Sequence, residues 1–208
     1  MVALLASLNS FAVDYVARQK VGGTHITFGL LKQFPIVSPA YFVAPSPLAT
    51  RDSPLAFILP RTLELLYTAH DLDPLARDLG YDGPPFRWDP ERRFEIRCEL
   101  DAAFFHLYLP CDANGEWRAA RVADGHVVDE TPEQLAALKR HFPTPRDAVA
   151  YILDQFPIVL QKDEARFGRY RTKERILAIY DAMLEAQRTG ATYRSPLDPP
   201  PGKQEAPP

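Results

Sequence analysis

The stretch LNSFAVDYVARQKVGGTHITFGLLKQFPIV, residues 8–37, combines a helical pattern, a glycine pair and a second apolar segment that ends at a proline. Its first half, with the residues before it, spaces large apolar side chains three and four apart. This spacing predicts one amphipathic helix over residues 2–20. Gly22 and Gly23 follow and permit backbone angles that other residues avoid. We therefore expect a tight turn there, which either carries recognition or merely reverses the chain.

Prolines recur from residue 35 to residue 60, where the apolar side chains lose their regular period. This pattern predicts an extended connection with a short strand at residues 41–43. We place a domain boundary here, between residues 45 and 46. The predicted fold class is mainly α, with a small α+β segment at the amino-terminal end.

Downstream of this boundary the helical spacing returns, and several predicted helices start with a capping signal such as Asp-Pro or Thr-Pro. The predicted helices begin near Arg61, cover residues 75–79, 89–109 and 172–188, and also follow Thr131 and Thr144.

Two further segments complete the predicted organisation. Asn114-Gly115, between alternating polar and apolar residues, indicates a hairpin or an inserted loop within residues 110–129. We assign residues 46–190 to a mainly helical tail domain. Residues 191–208 are proline-rich, and we predict that they form a disordered tail.

The composition is that of a folded, slightly acidic protein, with 208 residues, 46% hydrophobic residues and a formal net charge of −3. This charge argues against a chain-wide basic surface, so any DNA contact is expected to be local. The basic clusters lie at residues 18–20, 92–93 and 162–175, where a solvated helix face is the alternative to a DNA contact. Cys98 and Cys111 show neither zinc-site nor disulfide-framework spacing, which favours a reducing cytoplasm.

Three features of the opening stretch occur in a fixed order: Leu8-Asn9-Ser10 at a helix start, Gly22-Gly23-Thr24-His25 at a turn, and Leu31-Lys32-Gln33-Phe34-Pro35 at the end. This order resembles the closing segment of the DNA target-recognition domain in type I restriction specificity subunits and in restriction enzymes fused to adenine methyltransferases. Later runs look like the C-terminal tail of large restriction-modification methylases, at residues 67–88, 99–108 and 156–183. The resemblance covers most of residues 7–183.

The resemblance implies a C-terminal part of a restriction-modification DNA methyltransferase, which recognises DNA and acts with a methylase subunit or domain. The implied partners are double-stranded DNA and that methyltransferase, in the cytoplasm and without a membrane. S-adenosylmethionine is expected on the partner or on an upstream domain, with no cofactor in this chain. The DNA-binding residues that we predict are Arg18, Lys20, Gly22, Gly23, Thr24, His25, Thr27 and Lys32.

The sequence motifs predict no catalytic residues and no metal site. Asp198-Pro199-Pro200 is close in letters to the motif that grips a flipped base in adenine methyltransferases, but Pro201 replaces the stacking aromatic residue. Lys162-Asp163-Glu164 lacks the arrangement of a metal-dependent nuclease and fits a helix cap better.

Alternative interpretations stay open at this point. The alternative to a DNA-recognising part of a methyltransferase is a helical protein-interaction module or a degenerate remnant that does not bind DNA. The basic and aromatic residues of 162–175 fit either contact with a nucleic-acid backbone or docking against a methylase domain. For Trp88, which follows a proline turn, a core position is favoured over stacking on a base.

Overall fold

The computed structural model describes residues 1–23, 25–43, 53–118, 120–123 and 126–203. The elements are α1 (Val2–Leu8), α2 (Phe11–Lys20), α3 (Phe28–Leu31), α4 (Pro39–Val43), α5 (Pro54–Leu66), a 3-10 turn (His70–Leu72), α6 (Asp73–Asp78), α7 (Pro90–Tyr108), β1 (Ala120–Ala123), β2 (His126–Asp129), α8 (Pro132–His141), α9 (Pro145–Asp154), α10 (Pro157–Phe167) and α11 (Arg171–Thr189). The mainly α fold class is confirmed.

Proline marks helix starts throughout the chain, at the first or second position of every helix from α5 to α10. The missing amide hydrogen of proline costs nothing there, because the first helical amides have no intrahelical acceptor. Thr131 and Thr144 form the predicted capping boxes before α8 and α9. Gly190, in the left-handed conformation with φ of 66°, ends α11 as predicted.

The long helix α7 is the centre of the hydrophobic core. It packs against α2, α5 and α11, and side chains on several of its faces are buried, as Ile96, Ala103 and Phe105 illustrate. A helix that is apolar on several faces is stable only when other elements surround it. α7 was predicted at nearly these bounds, and its buried surface is broader than the single face expected from the sequence.

The predicted helix over residues 2–20 is in fact two helices. Ser10 adopts extended backbone angles, φ −81° and ψ 149°, and its hydroxyl accepts a hydrogen bond from the Val13 amide at 3.4 Å. This N-cap ends the continuity of the helix because its side chain supplies an acceptor for an otherwise unpaired amide. The hydroxyl of Ser7, at the same break, lies 2.8 Å from that of Tyr108 on α7. The apolar periodicity runs through this break, whereas the helix start indicated by Leu8-Asn9-Ser10 coincides with it.

The strand predicted at residues 41–43 is wrong, because these residues form the last turn of α4. Helices and their connections make up the whole described part of residues 1–43, so the α+β character expected there is not found. Phe42 is buried and α4 packs against α5, which explains why a short helix forms at this place. The strands of the described chain lie later, as the antiparallel pair β1–β2, within the region predicted as a hairpin or loop.

Helix α5 begins at Pro54 and passes through Pro60, although an extended connection was predicted up to that residue. Proline removes one backbone hydrogen bond from the helix interior. Two side chains add donors near the interruption: Arg61 Nη1 donates to the Phe57 carbonyl at 3.0 Å, and Thr62 Oγ1 donates to the Ile58 carbonyl at 2.9 Å. Burial of this helix against α1, α4 and α7 outweighs the local preference of proline.

One hydrophobic core joins both sides of the predicted boundary at residue 45. It contains Ala12, Val37 and Phe42 from the amino-terminal side, together with residues such as Phe104 and Ile176 from the other side. The assignment of residues 1–45 to a recognition domain stays a prediction.

Residues 191–203 are ordered against the core, in contrast to the disordered tail predicted from residue 191. The Tyr193 hydroxyl donates to Glu99 on α7 at 2.8 Å, and the Gly202 amide donates to Glu64 on α5 at 2.7 Å. The two acceptors are buried carboxylates, for which every additional donor is valuable. The predicted disorder of the remaining tail residues lies outside the described part of the chain.

Candidate functional site

The predicted DNA-binding residues lie at the end of α2 and in the connection to α3. Arg18 pairs with Asp14 one helical turn earlier, at 3.0 Å, and its guanidinium carbon lies 4.9 Å above the ring of Phe156. Lys20 is exposed in the last turn of α2, where a positive charge suits the helix dipole. Arg18 therefore fits a structural role at least as well as a DNA contact, whereas Lys20 is accessible to a ligand.

The glycine pair does not use the backbone freedom predicted for it. Neither Gly22 nor Gly23 has a positive φ, and a Cβ atom built on either would meet no atom within 4 Å. Both glycines are exposed, and α2 ends with Val21 as its C-cap. The turn is therefore neither conformationally restricted to glycine nor a place of close approach to another part of this chain.

The remaining predicted residues surround the short helix α3. Thr24 lies outside the described residues, and His25 is exposed. The hydroxyl of Thr27 caps α3 by accepting from the Leu30 amide at 3.3 Å. The ammonium group of Lys32 lies 4.4 Å above the ring of Phe28. The described members of the predicted site thus share one exposed segment, although several have structural partners.

Large apolar side chains are exposed on the same amino-terminal segment. In α1 these are Leu4, Leu5 and Leu8, and around α3 they include Ile26 and Phe28, the latter 71% exposed. Isolated exposed apolar residues are ordinary, but several within one short segment are typical of a surface that another chain covers. We call these residues, which share the amino-terminal segment of the sequence, the N-terminal apolar surface: Leu4, Leu5, Leu8, Ile26 and Phe28.

The basic run at residues 162–175 is largely neutralised by ion pairs. Arg171 pairs with Glu91, and Arg175 pairs with Glu95. The other two pairs are Lys173–Asp154 at 2.7 Å and Arg169–Glu174 at 2.5 Å. For this cluster, these contacts favour a solvated helix face of mixed charge over a DNA contact. Lys162 and Arg166 are the cations of the run that form no ion pair within the described structure.

A cleft of about 490 Å³ lies where α2 and α10 meet α7. Its volume falls in the usual range of small-molecule sites. Cations, carboxylates and apolar side chains line it, among them Phe11, Arg97, Asp101, Ile158, Lys162 and Arg166. Asp101 Oδ1 accepts a hydrogen bond from the Phe11 amide at 2.8 Å, and burial raises the pKa of this carboxyl to about 7. No sequence pattern indicated this cleft, because its residues come from three separate segments.

Asp163, for which the sequence favours a helix-cap role, does act as a cap. It caps α11 and not α10, the helix to which it belongs. It lies inside α10, and its carboxylate accepts from the Thr172 amide at 2.6 Å, in the first turn of α11. A carboxylate at this place satisfies a free amide and suits the positive end of the helix dipole.

His106, Cys111 and Tyr180 form a buried cluster that the sequence did not indicate. The rings of His106 and Tyr180 stack at a centroid distance of 3.9 Å, and the Cys111 sulfur lies 3.8 Å from both His106 Nδ1 and the Tyr180 hydroxyl. Burial lowers the pKa of His106 to about 4 and raises that of the Cys111 thiol. A neutral imidazole beside a protonated thiol is a packing arrangement rather than an activated nucleophile.

Trp88 is 62% exposed, so the core position favoured for it is wrong. Its ring is covered on one face by the guanidinium of Arg93, at 3.8 Å. The neighbouring Phe86 occupies the buried position instead, and packs with Tyr67 and Tyr81 in a small second core cluster.

No family model, curated protein or solved structure matches this chain. The described residues contain no cluster of histidine, cysteine and acidic side chains suited to a metal ion. Among the described helices, none combines the length and the apolar content that a membrane crossing requires.

Proposed function

We propose that this chain is a non-catalytic, DNA-recognising part of a restriction-modification DNA methyltransferase and acts together with a methylase subunit or domain. That partner holds S-adenosylmethionine. The proposal starts from the ordered sequence motifs over residues 7–183, and one hydrophobic core joins the amino-terminal helices of this span to α7, α9 and α11.

The N-terminal apolar surface is the observation that carries the proposal. It lies on the segment that resembles the end of a target-recognition domain, where the rest of such a domain or a methylase would pack. Lys20 and Lys32 belong to the same segment and supply charge for phosphate contacts beside this interface. The apolar side chains thus serve the protein partner, and the lysines serve the DNA.

Affinity capture of the tagged chain from its native cytoplasm, with quantitative mass spectrometry, tests the protein partner. We expect a methyltransferase subunit to be recovered with the wild type and lost with Phe28→Ser. Trp88→Ser is the matched control, because Trp88 is exposed to a similar extent but lies outside the N-terminal apolar surface. Equal recovery with both variants, or no methyltransferase in any capture, would contradict the proposed docking.

The salt dependence of DNA affinity tests the second half of the proposal on the recovered complex. When the logarithm of the DNA affinity is plotted against the logarithm of the salt concentration, each phosphate contact contributes about 0.9 to the steepness of the line. If Lys20 and Lys32 each contact one phosphate, Lys20→Ala and Lys32→Ala each reduce this slope by about 0.9. An unchanged slope in both variants would remove these lysines from the DNA interface.

A helical protein-interaction module without DNA contact is the second candidate function. It is favoured by the ion pairs that occupy most cations of residues 162–175, and by the pairing of Arg18 with Asp14. This candidate would be selected if the tagged chain stably captured a protein partner and the recovered complex had negligible affinity for DNA at low salt.

A further inference from the structure

The cleft between α2, α7 and α10 is lined by three cations that form no ion pair within the described residues. Arg97 extends from α7, and Lys162 and Arg166 lie one helical turn apart on α10. All three line the cleft, and none of them forms an ion pair in the described structure. Most other arginines of α7, α10 and α11 have such partners. The Arg166 guanidinium lies 5.0 Å from the centre of the Phe167 ring, a contact that leaves its charge without a counter-ion.

The lining of the cleft holds four cations, Arg97, Lys162, Arg166 and Arg171, and three carboxylates, Glu91, Asp101 and Asp163. Arg171 and Glu91 neutralise each other. The carboxylate of Asp163 accepts a hydrogen bond from the Thr172 amide, a neutral donor, and keeps its negative charge. Asp101 accepts from a backbone amide and titrates near neutral pH. The lining thus has one more cation than carboxylates, and this local excess favours an anion although the whole chain carries a net charge of −3.

The rim of the cleft is apolar. Ile158 is 63% exposed and Phe167 is exposed at its edge, while Phe11 contributes part of the wall. An apolar wall beside a group of cations fits a ligand that joins a flat organic body to an anionic group. The volume of about 490 Å³ accommodates a mononucleotide but not a folded peptide.

We propose that this cleft binds a nucleotide, with Arg97, Lys162 and Arg166 holding its phosphate and the apolar rim contacting its base. The nucleotide is either free or one unit of a single-stranded nucleic acid, since the phosphate and base are common to both. This site is separate from the N-terminal apolar surface, and the inference holds whether or not the chain acts with a methylase.

Isothermal titration of the full chain with adenosine 5′-monophosphate, adenosine, inorganic phosphate and a short single-stranded oligodeoxynucleotide tests the site. We expect the monophosphate to bind more tightly than adenosine or phosphate alone. Arg97→Ala and Lys162→Ala each weaken that binding about tenfold, the usual effect of removing a charge-assisted hydrogen bond. Arg188→Ala, which removes an exposed cation at the far end of α11, leaves the affinity unchanged.

Asp101→Asn tests for a gain of affinity instead of a loss. The amide oxygen of the substituted side chain can still accept from the Phe11 amide, while the negative charge is lost. We expect this variant to bind the monophosphate about threefold more tightly at neutral pH, by the usual scale of screened charge interactions. Circular dichroism confirms that each variant folds.

Binding of the monophosphate alone, with these variant effects, supports a free nucleotide as the ligand. Binding of both the monophosphate and the oligonucleotide supports a unit of a nucleic-acid strand. Absence of binding by both, or affinities that do not respond to Arg97→Ala and Lys162→Ala, overturns the inference. Since the monophosphate measurement needs no methylase, its failure is distinct from a failure of the proposed docking.

Discussion

The buried ion pair between Arg61 and Glu99 permits a prediction with a definite magnitude. Arg61 Nε lies 2.9 Å from Glu99 Oε2, and the two side chains are 9% and 0% exposed. Burial lowers the pKa of the Arg61 guanidinium, while the charge of Glu99 offsets part of that effect. Arg61→Met keeps much of the side-chain volume and leaves the Glu99 carboxylate buried with the Tyr193 hydroxyl as its remaining partner.

Loss of one member of a buried pair costs about 3–5 kcal/mol, because the other charge stays desolvated. For a chain of this size, about 2–4 °C is lost per kcal/mol, so Tm should fall by roughly 6–20 °C. Urea denaturation followed by circular dichroism measures the free energy of unfolding, with an unchanged slope showing that the same surface is exposed. The matched control is Arg146→Met, whose partner Asp181 is exposed, with an expected cost below about 1 kcal/mol.

The double variant Arg61→Met with Glu99→Met separates the pair from its surroundings. Because it removes both charges, it should cost much less than the sum of the single variants, leaving mainly the unpaired Tyr193 hydroxyl, worth about 1–3 kcal/mol. If Arg61→Met costs no more than Arg146→Met, or if the double variant equals the sum, the argument from buried charge is wrong.

Three further predictions concern Asp101, the two cysteines and Gly202. Because burial raises the pKa of Asp101 in the folded state, its contribution to stability is present at low pH and is lost as pH rises from about 4 to about 7; relative to wild type, Asp101→Asn should therefore gain stability over this range in urea titrations. Cys98 and Cys111 are buried with raised thiol pKa values, so a thiol reagent should label both in urea and neither in buffer; rapid labelling of the native protein would contradict this burial. Gly202→Ala should cost more than Gly168→Ala in unfolding free energy, since both glycines have positive φ but only at Gly202 does an added Cβ meet another residue, at 2.7 Å; equal costs would show that the steric contact is relieved.

Helix starts were predictable from the sequence wherever the signal was local. Asp89-Pro90 and the Thr-Pro pairs place a cap, a preset φ and the first amides within a few residues, so α7, α8 and α9 begin close to their predicted positions. Gly190 likewise ends α11 by its own conformational freedom. These elements depend on physics that acts over one helical turn.

The errors arose where distant contacts override local preference. Pro60 predicts an interruption, yet burial of α5 against three other helices keeps the helix continuous. The proline-rich tail predicts disorder, yet its order depends on carboxylates 94 and 138 residues earlier in the chain. At Ser10 two predictions competed: the Leu8-Asn9-Ser10 motif indicated a helix start, which the N-cap of α2 matches, whereas the apolar periodicity indicated one continuous helix.

The same distinction applies to the candidate sites. The residues predicted for DNA binding are neighbours in sequence, so they necessarily share one segment, and only their partners were unknown. The nucleotide cleft joins Phe11, Arg97 and Lys162, which no spacing rule connects. The mixture of basic and aromatic residues in 162–175 covers only one of the three segments that line the cleft, so it did not indicate the cleft.

The attachment of residues 193–202 to Glu64 and Glu99 has a consequence for how the protein is synthesised. Both carboxylates belong to helices that leave the ribosome long before their tail donors are translated. During that interval each is held by an arginine but lacks its final hydrogen bond, and the core has not reached its full stability. Completion of the fold therefore follows release of the tail, and a nascent chain arrested before Tyr193 should remain more sensitive to proteases than the finished protein.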